Sequence, residues 1–300
     1  MRLDIDGRNC ELESGRSILD AVKKEGLDSI MLSDRPLAAQ IGGEVFNLRF
    51  TPKKDTQIHL LRYGEDMGRR VYERTLQFLF ILAMRKEFPR ARVCVRYSLG
   101  PGLFITVDGM EEPFNEEAAL KVETEMRRLV RLKLPLERRR ISIKEALSFY
   151  EQDGQADKAK LLKWRRFSYF DVYQIDGYMD YFYGEMAPDT SYADVFRVKY
   201  VHDGAVVLLM PRNDAPDVPS DYVDLPKLHA VFHQSDEWGK LMECATVNDL
   251  NTHIQNGTIR ELVRINEALH DRGYADIADK IVQKGAKAVL VAGPSSSGKT

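Results

Sequence analysis

The run Gly293-Pro294-Ser295-Ser296-Ser297-Gly298-Lys299-Thr300 has the spacing glycine, four free positions, glycine, lysine, hydroxyl residue. Those residue types in that order can grip a nucleoside triphosphate. Successive backbone N–H groups curl around phosphate oxygens, the lysine reaches the outer phosphates and the hydroxyl holds Mg²⁺. On this reading Gly293, Ser295, Ser296, Ser297 and Gly298 cradle ATP, Lys299 is the catalytic cation and Thr300 is the Mg²⁺ ligand. The apolar run Ala288-Val289-Leu290-Val291-Ala292 predicts a strand buried on both faces that feeds the loop. The competing reading is a flexible Ser/Gly-rich tail. Such a loop normally passes into a helix whose positive end completes the anion site. No residues follow Thr300 to build that helix, so the expectation is the front portion of a longer protein, unable by itself to bind ATP tightly.

Three other groups invite chemistry. His229 and His233 stand four apart on a predicted helix, a spacing that can share a metal, but Ala230 occupies the position where a metalloprotease needs glutamate. Ordinary helix-surface histidines are the expectation. Tyr169, Tyr173, Tyr178, Tyr181 and Tyr183 interleave with Asp171, Asp176 and Asp180, which suits either a half-buried sheet face or a vestigial ligand pocket. Arg127-Arg128, Arg138-Arg139-Arg140 and Lys163 with Arg165-Arg166 could track an RNA backbone. Glu123, Glu125 and Glu137 lie among them and argue for ion-paired, solvated faces.

With 300 residues and 44% hydrophobic content, the chain can bury about two domain cores. Its 44 basic and 46 acidic residues leave no global field that announces nucleic acid or an anionic membrane. Cys10, Cys94 and Cys244 are few and scattered, which excludes a disulfide framework or a CxxC metal site and fits a reducing compartment. Charged residues fill the N-terminus where a signal peptide needs an apolar stretch. A soluble, cytoplasmic protein without membrane contact is expected.

The elements divide into four segments. Residues 1–64 alternate as strands around one helix: Leu3 and Ile5, an Asp6-Gly7 turn, a helix opened by Ser17 with Asp20, a Gly42-Gly43 turn, and Thr56 to Leu61. This is a β-grasp pattern. Residues 65–212 carry longer helices with strands between. Val71, Leu76, Leu79, Phe80, Ala83 and Met84 have helical spacing until Pro89, Arg92 to Tyr97 alternates, Asn115 caps a second helix, and Ser142 with Glu145 forms a capping box. Further strands are predicted at 167–175, 192–201 and 205–210. Residues 213–285 open on a Pro/Asp-rich link through Pro219 and continue as helices at 226–242, 247–270 and 274–284. Residues 286–300 begin a P-loop α/β domain. The fold class is α+β.

The Asp6-Gly7 turn, the helix after it and the strings IGGEVFNL and QIHLLRYGEDMG resemble the ubiquitin-like TGS domain at the front of threonyl-tRNA synthetase, a binding module. The strings LGPGLFITVD, EEPFNEEAALKVETEMRRLV and LPLERRRISIKEAL resemble that enzyme family's second additional domain, which hydrolyses mischarged tRNA. In the resembled domain an HxxxH pair and a Cys/His pair are the metal-ligand positions. Counting back from Pro89 puts the first pair at Arg74 and Phe78, and counting around Gly184 and Pro188 puts the second at Phe182 and Met186. None of the four is an ordinary zinc ligand, so the resemblance implies an editing scaffold without its hydrolytic centre. The whole order, ending in AGPSSSGKT, resembles proteins of the uridine kinase and phosphoribulokinase group. That resemblance implies ATP-dependent phosphoryl transfer to a nucleoside by a longer chain, with Lys299 neutralising developing charge on the transferred group and Thr300 on Mg²⁺. The alternative is a non-catalytic RNA-binding or scaffold module built from tRNA-synthetase parts.

Overall fold

The computed structural model describes residues 1–201 and 204–293. The fold is mixed α+β with several sheets, divided into two compact units. The mixed unit comprises Met1–Glu145 with Phe167–Pro226, and the helical unit comprises Ala146–Arg166 with the chain from Lys227.

The mixed unit begins with β1 (Arg2–Ile5), β2 (Arg8–Glu11), α1 (Ile18–Lys24), β3 (Ala38–Ile41), β4 (Glu44–Phe46) and β5 (Thr56–Leu61). The strands order as β2-β1-β5-β3-β4, with β1 and β5 parallel and the other neighbours antiparallel. Leu3, Ile5, Ile58 and Leu60 point to one face, where Ile18, Ala21 and Val22 of α1 join them in a shared core. The β1–β2 hairpin closes in two residues because Asp6 and Gly7 both take positive φ, 49° and 83°, as this tightest of turns requires. Both halves of the expected Ser17/Asp20 capping box form. Ser17 Oγ accepts from Asp20 N at 3.2 Å and Asp20 Oδ2 accepts from Ser17 N at 2.9 Å.

α2 (Asp66–Glu87) follows, and its expected stripe is widened by Tyr72, Thr75, Phe78 and Leu82 until the helix is buried on most sides. Gly68 lets its first turn cross the incoming chain, since a Cβ there would lie 2.0 Å from Arg62 O. β6 (Arg92–Leu99), β7 (Gly102–Asp108), α3 (Glu116–Leu132), β8 (Glu137–Ser142), β9 (Tyr169–Ile175), β10 (Tyr178–Asp180), β11 (Arg197–Tyr200) and β12 (Ala205–Leu209) complete two antiparallel sheets, β11-β12-β7-β6 and β10-β9-β8. Asn115 caps α3 by accepting from Ala118 N at 3.0 Å.

Residues 213–219, expected as a link, instead supply β14 (Ala215–Pro219), which pairs with β13 (Pro211–Arg212). A two-stranded ribbon tolerates Pro216 and Pro219 because proline costs a ladder bond only where its missing N–H would have been used.

The helical unit holds most of α4 (Ile143–Gln152), then α5 (Ala156–Leu162), α6 (Pro226–Leu241), α7 (Val247–Asn256) and α8 (Ile259–Gln283). The predicted helix 247–270 is broken at Gly257, whose φ of 77° ends α7 in a left-handed cap. Conversely, the expected gap near Gly273 is absent and α8 runs through it. An internal glycine costs only about 1 kcal/mol, which the alanines and leucines around it can offset. The strand expected at 288–292 is also absent. Leu290 is 95% exposed, and a strand needs a neighbour that no sheet of the described residues supplies there.

Candidate functional site

The four positions reached by counting come together. α2 carries Arg74 and Phe78 one turn apart, and the segment after β10 brings Phe182, Gly184 and Met186 against them. The Phe78 and Phe182 ring centroids are 5.3 Å apart, with Tyr178 a further 5.9 Å from Phe78. Arg74 Nε donates to Glu185 O at 2.9 Å. Its guanidinium covers Gly184 so closely that a Cβ there would meet Arg74 Cζ at 2.9 Å, and Gly184 holds φ 105°. Glycine fits both demands. Met186 and Phe78 are fully buried.

The segment is held from every side. Thr75 Oγ1 accepts from Ala187 N at 2.9 Å while donating to Val71 O at 2.8 Å. Tyr173 Oη donates to Glu185 Oε2 at 2.9 Å and accepts from Met186 N at 3.2 Å. Asn47 Nδ2 donates to Met186 O at 2.8 Å and Arg49 Nε to Pro188 O at 2.9 Å. Arg138 pairs with Glu185 and, at 3.0 Å, with Asp171. Burial, with the Glu185 carboxylate behind it, raises the Tyr173 pKa well above the usual phenol range. Burial likewise lowers the Arg74 pKa from its ordinary value.

This arrangement is an apolar plug beneath a bound guanidinium. It offers no lone pair to a metal at Arg74 or Phe78, and no space at Met186. Among the described residues no group of three or more His, Cys, Asp or Glu could hold a metal ion.

The other candidates resolve differently. Tyr173 is a core residue, Tyr178 packs on Phe78 with Arg85 Cζ 4.7 Å above its ring, and Tyr169 lies under Arg140 at 4.2 Å. Tyr183 is 77% exposed. Tyr173 and Tyr178 therefore pack against the plug, whereas Tyr169 packs on Phe167 and Arg140. Each arginine of the first two basic clusters has a polar partner: Arg127 with Glu123 and Arg128 with Glu125, both at 2.7 Å, Arg140 with Asp171 at 2.8 Å, and Arg139 with Gln174 at 2.6 Å. His229 and His233 lie in α6 with rings 6.3 Å apart. Gly293 is described, whereas Ser295, Ser296, Ser297, Gly298, Lys299 and Thr300 lie outside the described residues.

Two features went unread in the sequence. Arg35 is 7% exposed and makes a two-pronged pair with Asp194, at 2.8 and 3.0 Å, while also donating to Tyr192 O at 3.2 Å. It fastens the loop before β3 to the chain after the plug. His59 bridges two carboxylates. Neither stands out in a sequence, because each depends on residues brought in from a distance.

No protein-family model matches the chain. It is similar to the threonine-tRNA ligase of Clostridium kluyveri, 25% identical over 194 residues, which is 64% of this chain and 30% of that protein. The threonine-tRNA ligases of Carboxydothermus hydrogenoformans (27% over 175 residues, 56% of this chain and 26% of the relative) and Acetivibrio thermocellus (28% over 160 residues, 53% and 24%) are similar in the same way. The chain thus spans about 30% or less of the length of these curated relatives. No helix among the described residues is long and apolar enough to cross a membrane.

Proposed function

We propose that the mixed unit is a non-catalytic RNA-recognition module of tRNA-synthetase descent, acting in the cytoplasm. In this reading the five-stranded sheet with α1 is a β-grasp of the TGS type, and the remainder is an editing-type scaffold whose hydrolytic centre has been closed. The observation that carries it is the packing of Phe78 on Phe182 and of Arg74 on Gly184, where a hydrolase would need an open, ligated cavity. RNA is the ligand class because the relatives are tRNA ligases by name. β8 also presents Arg138, Arg139 and Arg140 in succession at a sheet edge, their side chains 46%, 47% and 61% exposed.

The test is anisotropy with bulk tRNA across a salt series. Binding should weaken with salt, each neutralised phosphate contributing about 0.7–0.9 to the logarithmic slope. Arg139→Glu with Arg140→Glu should reduce that slope by about 1–2. Salt-independent binding, or none, contradicts the reading.

The spacing of Gly293 to Thr300 favours a second reading, in which that loop holds ATP with Mg²⁺ and the full-length protein phosphorylates a nucleoside, Lys299 stabilising the transferred group and Thr300 ligating the metal. Labelled ATP offered to the full-length protein with a nucleoside panel decides it. Label transferred to a nucleoside supports this reading, and label left on ATP or free phosphate contradicts it.

A further inference from the structure

Both ring nitrogens of His59 face carboxylates. Nδ1 lies 2.8 Å from Asp6 Oδ1 and Nε2 lies 2.7 Å from Glu65 Oε2. The three residues come from three places: Asp6 from the β1–β2 turn, His59 from the middle of β5, and Glu65 from the N-cap of α2, where its side chain makes no capping bond. Arg62 ties the carboxylates further, donating from Nη1 to Asp6 Oδ2 at 3.1 Å and from its backbone N to Glu65 Oε1 at 3.0 Å. Leu60 N also donates to Asp6 Oδ1, at 3.2 Å. The remaining charged neighbours are Asp4 on β1, Lys54 and Asp55 at the head of β5, Asp34, whose carbonyl accepts from Arg62 Nε at 3.2 Å, and Asp66, which is engaged by Arg69. Gln40 is the cross-strand neighbour on β3.

Ionised carboxylates only accept hydrogen bonds, and a neutral imidazole has a single N–H. Both bonds can therefore exist together only while His59 is an imidazolium. Removing the proton sets a ring lone pair against a carboxylate oxygen at less than 3 Å, and one arm must open. A groove of about 700 Å³, lined by Asp6, Gln40, Gly42, Gly43, Lys54 and His59 among others, lies beside the ring and gives it room to turn.

We propose that His59 is a protonation-gated latch between the first sheet and the start of α2, closed as the imidazolium and open at the Glu65 arm when neutral. Asp6 is the arm that stays, because two further donors hold it, Leu60 N and Arg62 Nη1, whereas Glu65 has one, Arg62 N. Glu65 is the arm that leaves: its side chain is 40% exposed against 28% for Asp6. α2 carries Arg74 and Phe78, so the latch governs the first turn of the helix that forms the plug. The Glu65 and Asp6 carboxylates, Glu65 foremost, hold the His59 pKa above its ordinary value. A raised histidine pKa contributes stability in full below the unfolded value of about 6.5, and loses it as pH rises through the folded value. His59 is half exposed (49%), so screening keeps the effect on global stability small and the readout must be local. The latch does not rest on the RNA reading.

The experiment is an NMR pH titration of the whole chain from mildly acidic to mildly basic pH, following the His59 ring and the amides of Asp66 to Arg70. His59 should titrate above about 6.5, and those amides should shift with the same midpoint. Glu65→Gln should lower the midpoint and uncouple the amides, and His59→Gln should abolish the amide transition, with circular dichroism showing both variants folded. A midpoint at or below the ordinary histidine value overturns the latch, as do amides at the head of α2 that ignore it.

Discussion

α2 and α8 are similar in length, 22 and 25 residues, and opposite in surroundings. α2 buries Val71, Tyr72, Leu76, Phe78, Leu79, Phe80 and more, whereas α8 buries Leu262 alone and leaves Val263, Tyr274, Ile277 and Val282 about half exposed or more. Helical periodicity is present in both, but periodicity fixes only which residues share a face. Burial requires neighbours, and in the mixed unit two sheets, α3 and the plug segment provide them. The mixed unit should therefore be the rigid one and the helical unit the one with little cooperative core.

The largest expected contrast is between core truncations. Phe78→Ala should destabilise the mixed unit by about 3–5 kcal/mol, while Val231→Ala in α6 should stay within about 0.5 kcal/mol. Urea unfolding of both variants measures this, and equal effects would break the comparison. Next is Arg35→Met, which removes one member of a buried pair. Full burial of both ions would make that cost about 3–5 kcal/mol, but the Asp194 side chain is one-third exposed, so about 2 kcal/mol is expected from the same unfolding curves. Thr75→Val keeps the shape of the side chain and strands the Ala187 N–H, costing about 1–3 kcal/mol. Faster hydrogen exchange at Ala187 than in wild type would localise that loss to the plug. The smallest effect concerns acid. Hydrogen bonds from Arg140, then Arg138, hold the Asp171 pKa below its ordinary value. Its contribution is present above the unfolded value near 3.9 and is lost as pH falls through the folded value. Because the pair is at the surface, Asp171→Asn should cost less than about 1 kcal/mol at neutral pH, and nothing at a pH below both values. A difference that persists in acid would assign Asp171 a role other than its charge.

Much of the local structure was legible. Ser17, Asn115 and Ser142 announce helix starts through side-chain chemistry that acts within three residues, and Asp6-Gly7 announces its turn through φ alone. Positions 74, 78, 182 and 186 were reached only through the resemblance, by counting from Pro89, Gly184 and Pro188, and the structure brings them together. What those positions do in place of ligation was not legible, since the seating of Arg74 on Gly184 depends on a residue more than a hundred positions away. β14 was missed for a different reason: its partner, Pro211–Arg212, is close in sequence, but a segment carrying Pro216 and Pro219 reads as a link rather than a strand. At Gly257 and Gly273 one residue type does opposite things, ending α7 in one case and continuing α8 in the other, and local composition does not separate them.

On the proposed reading the scaffold recognises RNA while its centre is closed. Mixing the protein with mischarged aminoacyl-tRNA lets binding and deacylation be followed in one sample. We expect salt-sensitive binding with deacylation no faster than in buffer. Accelerated release of the amino acid, lost on Phe78→Leu, would show that the space between Phe78 and Phe182 is a working active site and would contradict the account.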